Sequence, residues 1–289
     1  MFPSNKIGRA YIIGSTLFSA AVIVIIFLFL IIYSWPVILE QGFHLFTLEW
    51  NASQQKFGVL SLLYGSAIVT LLALAFSLPL GLLTALFTSE VLPPSYRIYI
   101  KSLLELLAGI PSIVYGLIGV SFLSLWIQSF FDLESGRTLL SGGLLLGVMI
   151  LPTLITLSDD ALHHVPQKYR ENARSLGLNP FEVIKEVVLP MAKTDIIGGI
   201  LLAVGRVLGE TMAVMLVIGS IDKIPSPWFN FLSPGQTITS KLGREISEAA
   251  FGSLHFSALI FTSLILFLFV LCITFLSLSW TKSTGRLYE

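Results

Sequence analysis

Residues 166–190 read PQKYRENARSLGLNPFEVIKEVVLP. The stretch lies between two long apolar runs, and its residues specify two short helices joined by a tight turn. Pro166 suits the first position of a helix, where its missing N–H costs nothing. Gly177 suits the left-handed residue that closes that helix. Asn179 then caps a second helix, with Pro180 at its first position and Glu182 at its third, the arrangement of a capping box. Pro190 is expected to end it.

The sequence outward from this segment is far more apolar. Of 289 residues, 55% are hydrophobic and 12% charged, against roughly 25% charged in soluble domains. The mean hydropathy is +0.87. Seventeen basic and seventeen acidic residues cancel, which leaves no bulk positive charge for a nucleic-acid partner. The single cysteine, Cys272, lies in an apolar run, which excludes intrachain disulfides and Cys-based zinc sites. These features specify an all-α polytopic membrane protein whose main surroundings are lipid.

A spanning helix needs about 20 predominantly apolar residues. Six stretches qualify, at about 10–34, 59–88, 98–128, 138–158, 196–219 and 256–280, and the 159–195 loop carries the helix pair. The chain is read as a single transmembrane domain over 1–289. The first stretch is too long in its apolar core for a cleavable signal peptide, and no small-x-small cleavage site follows it. The second and third are long enough to tilt or to continue as helix outside the lipid.

Orientation follows from the distribution of lysine and arginine. The N-terminus, the 89–101 and 159–195 loops and the C-terminal tail together hold eleven basic residues, Arg286 among them. The opposite side holds five, namely Lys56, Arg137, Lys223, Lys241 and Arg244. Both termini are therefore expected in the cytoplasm. Gly143 with Gly147, and Gly205 with Gly209, place small residues one turn apart, which allows close helix approach. Pro79, Pro111 and Pro152 each interrupt an apolar stretch, which lipid tolerates where neighbouring helices, side chains or water satisfy the freed carbonyls. A channel, a hinge and a plain packing kink are all open readings.

The spacing within 166–190 resembles the coupling motif of the binding-protein-dependent ABC importers. That motif runs Glu-Ala-Ala, three residues, Gly, nine residues, Ile, one residue, Leu-Pro. Glu171, Ala173, Gly177, Leu189 and Pro190 match it, with Asn172 in place of Ala and Val187 in place of Ile. The resemblance implies a helix pair that docks in a groove of an ATPase subunit and carries its closure to the spans. A rigid, capped helix suits that task, because it transmits a rigid-body displacement where a loose loop would absorb it. A solvated hairpin without a partner is the bland alternative. No Gly-x-x-x-x-Gly-Lys-Ser/Thr phosphate cradle occurs in the chain, so ATP hydrolysis falls to a partner.

The fifth stretch contains Arg206 and Glu210, one helical turn apart and thus on a shared face. Each charge at the centre of a spanning helix costs about 2.5–3.5 kcal/mol. Two readings stay open. The pair neutralises itself and holds the helix in a bundle, or Arg206 offers a planar cation to a passing anion while Glu210 holds it in place. Arg206 to Val214, reading RVLGETMAV, resembles the fifth-span signature of PstC-type permeases of phosphate ABC importers. Two further segments agree. One is Phe57-Gly58-Val59-Leu60 with Tyr64-Gly65-Ser66, and the other is the run from Glu105 to Gly116. The likeness covers about residues 40–280 and departs at 35–57, which is short for the family. It carries Thr211 to the translocation pathway with Arg206 and Glu210. Ser112 and Tyr115, flanking Pro111, present hydroxyls either to a permeating anion or to neighbouring helices.

Other polar features read as structural. The adjacent pair His163-His164 points about 100° apart on a helix and lacks a nearby cysteine, so no metal site is expected. Asp159-Asp160 reads as a solvated cap at a membrane boundary. Lys101 and Glu105 read as an i,i+4 pair supporting their helix.

The resemblance implies a six-helix type I ABC importer permease in a bacterial or archaeal plasma membrane. It would not itself be catalytic and would bind no cofactor, the ATP and magnesium belonging to the ATPase. It would work with a second homologous permease (PstA-type), two ATP-binding subunits (PstB-type) and an external phosphate-binding protein (PstS-type). Rival readings are a permease for another oxyanion, such as sulfate, molybdate or tungstate, and an ion-coupled secondary transporter that titrates Glu210. The latter has no reason to carry the helix pair.

Overall fold

The computed structural model describes residues 6–285. Arg286, counted in the orientation argument, lies outside them. Among the described residues, six stretches are long and apolar enough to cross a membrane. They are Gly8–Phe46, Leu60–Val91, Ser112–Phe131, Leu139–His163, Pro180–Gly209 and Leu254–Leu276.

Helix α1 (Lys6–Gln41) runs through Pro36 and ends in a 3₁₀ turn, Gly42–Phe46. A two-stranded hairpin follows, β1 (Trp50–Asn51) against β2 (Lys56–Phe57), with Trp50 opposite Phe57. Helix α2 (Leu60–Leu86) ends in a π-helical turn, Phe87–Val91.

The expected third span, 98–128, is two separate helices, and this is a correction. Helix α3 (Pro94–Ala108) stops at Gly109, and Pro111 caps α4 (Ser112–Ile118) with an extended ψ of 136°. Proline pushes its preceding residue away from helical backbone, so Pro111 starts a new helix rather than kinking one. A π-helical turn, Gly119–Leu123, then leads into α5 (Ser124–Phe131).

Helix α6 (Leu139–His163) is the axis of the bundle. Two thirds of its most apolar window, 67%, is buried, against 6% for α1, so α1 is a peripheral helix. Helix α2 packs along α6, and the glycine pair expected to allow close approach does so. A Cβ on Gly143 would meet Leu72 Cβ at 2.5 Å, and one on Gly147 would meet Phe76 Cδ1 at 2.8 Å. Among the described residues Gly205 and Gly209 have no such neighbour, the nearest contact at Gly205 being 4.0 Å. Val69, Ala73, Leu146, Ile150, Leu154, Ala203 and Val207 form the central apolar core where α2, α6 and the fifth span meet.

After α6 comes α7 (Gln167–Ser175), with Pro166 at its cap, one position earlier than expected. Gly177 has φ +89° and closes the turn, a conformation in which a Cβ is strained. Asn179 and Glu182 form the expected capping box at the start of α8 (Pro180–Val183).

The second helix does not end at Pro190. A π-helical turn, Ile184–Val188, leads directly into α9 (Leu189–Gly209), so helix runs from Pro180 into the membrane. Pro190 falls in the first positions of α9. The widened turn before it is the local device that accommodates a residue with no N–H to donate and a ring that crowds the preceding turn.

The fifth span is itself broken. Helix α9 ends at Gly209, Glu210 is extended (φ −71°, ψ 123°), and α10 (Met212–Val217) resumes after Thr211. The chain beyond α10 folds back onto the bundle. Residues 233–241 return into the end of the bundle opposite α7, where Gln236, Thr237, Thr239, Ser240 and Lys241 are all buried. Gly235 pairs with Gly219, its N–H donating to Ile218 O at 2.9 Å. Helix α11 (Ile238–Glu245) begins there under a Thr237 cap, and α12 (Leu254–Gly285) closes the bundle against α1 and α9. Irregular backbone at this depth persists because it is buried in protein with its polar groups bonded.

Candidate functional site

The break at Glu210 places charge and hydroxyls together near the middle of the bundle. Glu210 Oε1 accepts from the Ala213 N–H at 3.2 Å, bonding a free donor at the start of α10. Thr239 from the re-entrant segment donates to the Glu210 carbonyl at 2.8 Å. A carbonyl freed by the end of α9 is thereby satisfied.

Arg206, expected to pair with Glu210, does not. The extended backbone at Glu210 turns its carboxylate toward α10, and Arg206 Nη1 donates instead to Thr153 Oγ1 of α6 at 3.0 Å. Thr153 lies near the midpoint of α6, so Arg206 sits at mid-span depth. Its side chain is exposed on the bundle surface. Tyr115 of α4 donates to Leu107 O at 2.8 Å, and the Arg206 charge acts on its phenol electrostatically. Ser112, on the same short helix, and Thr211, at the break, are both half-buried. Arg206, Tyr115 and Thr153 form one surface, and Glu210 with Thr211 forms the adjoining break. Among the described residues Thr153 is the one hydrogen-bond partner of the Arg206 guanidinium, a group with five donors.

The α7 end carries a second constellation. Ala173 packs inward with Val165, Val183 and Val188, and Leu189 is half-buried against the same cluster. Glu171, Gly177 and Pro190 are exposed. Two large apolar side chains also face outward, Leu176 at 82% and Phe181 at 71% exposure. The helix pair thus has an inward face fixed to the spans and a largely polar outer face on which Leu176 and Phe181 stand exposed.

Ionic contacts fasten this end, and the sequence reading missed most of them. Lys101 pairs with Asp159 at 2.9 Å and Asp160 at 3.1 Å, not with Glu105. Asp159 is buried, which corrects its reading as a solvated cap. Burial disfavours the Lys101 charge, but the two carboxylates outweigh burial and hold its ammonium above the ordinary lysine value. His163 Nδ1 lies 2.9 Å from the Asp159 carbonyl, and Arg97 donates to Thr88 O at 2.9 Å. Arg170 pairs with Glu90. Apart from the His163–Asp159 contact within α6, each of these joins different helical elements, so spacing along one helix does not show it.

At the opposite end, buried Lys241 lies 2.5 Å from both Asp222 and Glu245 and stands over the Trp50 ring at 5.0 Å. His255 contacts Glu245 at 2.9 Å. Burial pushes the Asp222 carboxyl up, with Lys241 offsetting part of the rise. Burial also opposes ionisation of Glu245, but Lys241 and His255 outweigh it and hold that carboxyl below the ordinary value.

Comparison with known proteins agrees with this architecture. The family described as "Binding-protein-dependent transport system inner membrane component" matches residues 77–282. A phosphate transport system permease protein PstC of Mesorhizobium japonicum is 36% identical over 85% of this chain and 79% of its own length. The protein of the same name from Pasteurella multocida is 37% identical over 83% and 79%. A probable ABC transporter permease of Bacillus subtilis, YqgH, is 34% identical over 93% and 90%. Among solved structures, a bacterial ABC transporter that imports alginate shares the fold, with TM-score 0.59, 16% identity and coverage of 94% and 96%. The MetNI methionine transporter does so with TM-score 0.56, 15% identity and coverage of 78% and 94%. The chain belongs to the binding-protein-dependent transport system inner membrane component family, and its six-span bundle has the type I ABC importer permease fold.

Proposed function

We propose that this chain is one of two permeases forming the transmembrane pathway of an ATP-driven importer of inorganic phosphate. The observation that carries the reading is Arg206. It is a permanent charge at mid-span depth, exposed on the surface of this chain and bonded to a neutral threonine. Lipid contact there would cost several kcal/mol, so that face meets a second permease across a water-filled path. Phosphate as the anion is supported by the similarity to PstC proteins of two bacteria and by a related archaeal protein, a probable PstC of Methanocaldococcus jannaschii at 29% identity.

On this reading the outer face of the α7–α8 pair, with Leu176 and Phe181, seats in an ATP-binding subunit. ATP and magnesium belong to that partner and not to this chain. The full importer contains a PstA-type permease, two PstB-type subunits and a PstS-type binding protein, in a bacterial or archaeal plasma membrane with both termini cytoplasmic. Arg206, Glu210, Thr211, Ser112 and Tyr115 line the pathway. Glu171, Ala173, Gly177, Leu189 and Pro190 shape the coupling element. The test is uptake by the reconstituted complex. ATP should drive labelled phosphate into vesicles, and excess sulfate or molybdate should not compete. Transport of sulfate in preference to phosphate would refute the assignment.

A further inference from the structure

We infer that the Arg170–Glu90 bridge is the joint through which a displacement of α7 moves α2 and α6 together. Arg170 is then a positioning residue for transport. The inference rests on the proposed docking of α7 to an ATPase.

Arg170 is a buried charged residue on a helix whose other basic residues, Lys168 and Arg174, are exposed. Its guanidinium reaches two different spans. Nη1 contacts both Glu90 oxygens, at 2.6 Å to Oε1, and Nη2 donates to the Leu162 carbonyl at 2.7 Å. Glu90 belongs to the π-helical turn that extends α2, and Leu162 to the last turn of α6. Both carboxylate and guanidinium are nearly sealed, at 9% and 11% side-chain exposure.

A buried ion pair is a poor source of stability, because desolvation consumes most of the Coulomb gain and apolar residues of similar size often serve as well or better. What the planar fork adds is geometry, since Nη1 on Glu90 and Nη2 on the Leu162 carbonyl are held in one rigid plane that fixes orientation as well as distance. The apolar contacts of Ala173 against Val165, Val183 and Val188 permit sliding, and the fork does not. Helices α2 and α6 are also the pair that pack along each other through the core, and α6 carries Thr153, the partner of Arg206. A displacement of α7 therefore enters α6 eight residues from Arg170 in sequence and reaches the Arg206 contact along one continuous helix.

The test separates stability from transmission by replacing both partners with apolar residues. The double variant Arg170→Met/Glu90→Leu is prepared in the complete complex and compared with Arg170→Lys, which keeps the charge but loses the fork. Three quantities are read: co-purification of the ATPase, ATP hydrolysis, and phosphate moved per ATP. Both variants should retain the ATPase and basal hydrolysis. Phosphate moved per ATP should fall at least about tenfold, the scale of a lost coupling free energy between two sites. Wild-type phosphate per ATP in the double variant would overturn the inference. So would loss of the ATPase from that variant, because the bridge would then serve docking. A failed phosphate assignment shows separately, as absent uptake by the wild-type complex.

Discussion

Arg206 donates from Nη1 to the Thr153 hydroxyl at 3.0 Å, joining the last turn of α9 to the middle of α6. Four residues on, Glu210 bonds to the start of α10 and the re-entrant segment, so the two charges serve different elements. The guanidinium bonds across to α6, and the carboxylate secures the helix break. A broken spanning helix with bonded ends is a recurrent way to present backbone and charge at membrane depth.

The re-entrant segment depends on one close approach. A Cβ on Gly65 would lie 1.9 Å from the Gln236 carbonyl oxygen, which is backbone and cannot swing aside. Gly65→Ala should destabilise the protein by about 1–3 kcal/mol, seen as a lower Tm in detergent. Gly14→Ala in α1, where a Cβ meets nothing within 4 Å among the described residues, should leave Tm unchanged or slightly raised.

The Lys241 cluster gives a pH dependence of defined sign. The folded value of Glu245 lies below its ordinary 4.5. Its stabilising contribution is therefore present above about pH 4.5 and lost as pH falls through the folded value. The Tm difference between wild type and Glu245→Gln should be positive at pH 7 and shrink progressively below pH 4.5. A difference that grows on acidification would contradict the assignment, since that is the behaviour of a carboxyl shifted upward, as Asp222 is.

The apolar stretches and the capping chemistry of Asn179 and Glu182 were legible because they are local properties of consecutive residues. The breaks were not. Gly109–Pro111 and Glu210 lie inside the stretches 98–128 and 196–219, whose apolar composition overall hides a change of direction. Pro190 looked like a helix end because the π-helical turn that accommodates it leaves no mark in composition. The burial of Gln236, Thr237, Thr239, Ser240 and Lys241 has no apolar signal in the sequence, although Pro234-Gly235 followed by a threonine cap is consistent with a tight return. Lys101 was matched to Glu105 on its own helix because its true partners, Asp159 and Asp160, are nearly sixty residues away.

Orientation is checked by labelling. In a Cys272→Ser background, Asp132→Cys, in the turn after α5, should react with an impermeant thiol reagent added outside intact cells. Lys185→Cys, exposed beside the coupling element, should react after the membrane is opened. The reverse pattern would invert the topology.

The central claim is that Arg206 faces the anion path, and phosphate uptake by an Arg206 series tests it most directly. Arg206→Gln retains much of the volume and a donor for Thr153, but loses the charge. Arg206→Lys retains the charge without the fork. Uptake by reconstituted complexes should fall at least about tenfold in Arg206→Gln, as expected for losing a charged hydrogen bond to the ligand, with little recovery in Arg206→Lys. Assembly and basal ATP hydrolysis should persist in both. Wild-type uptake by an assembled Arg206→Gln complex would contradict the account and leave Arg206 as a packing residue of α9.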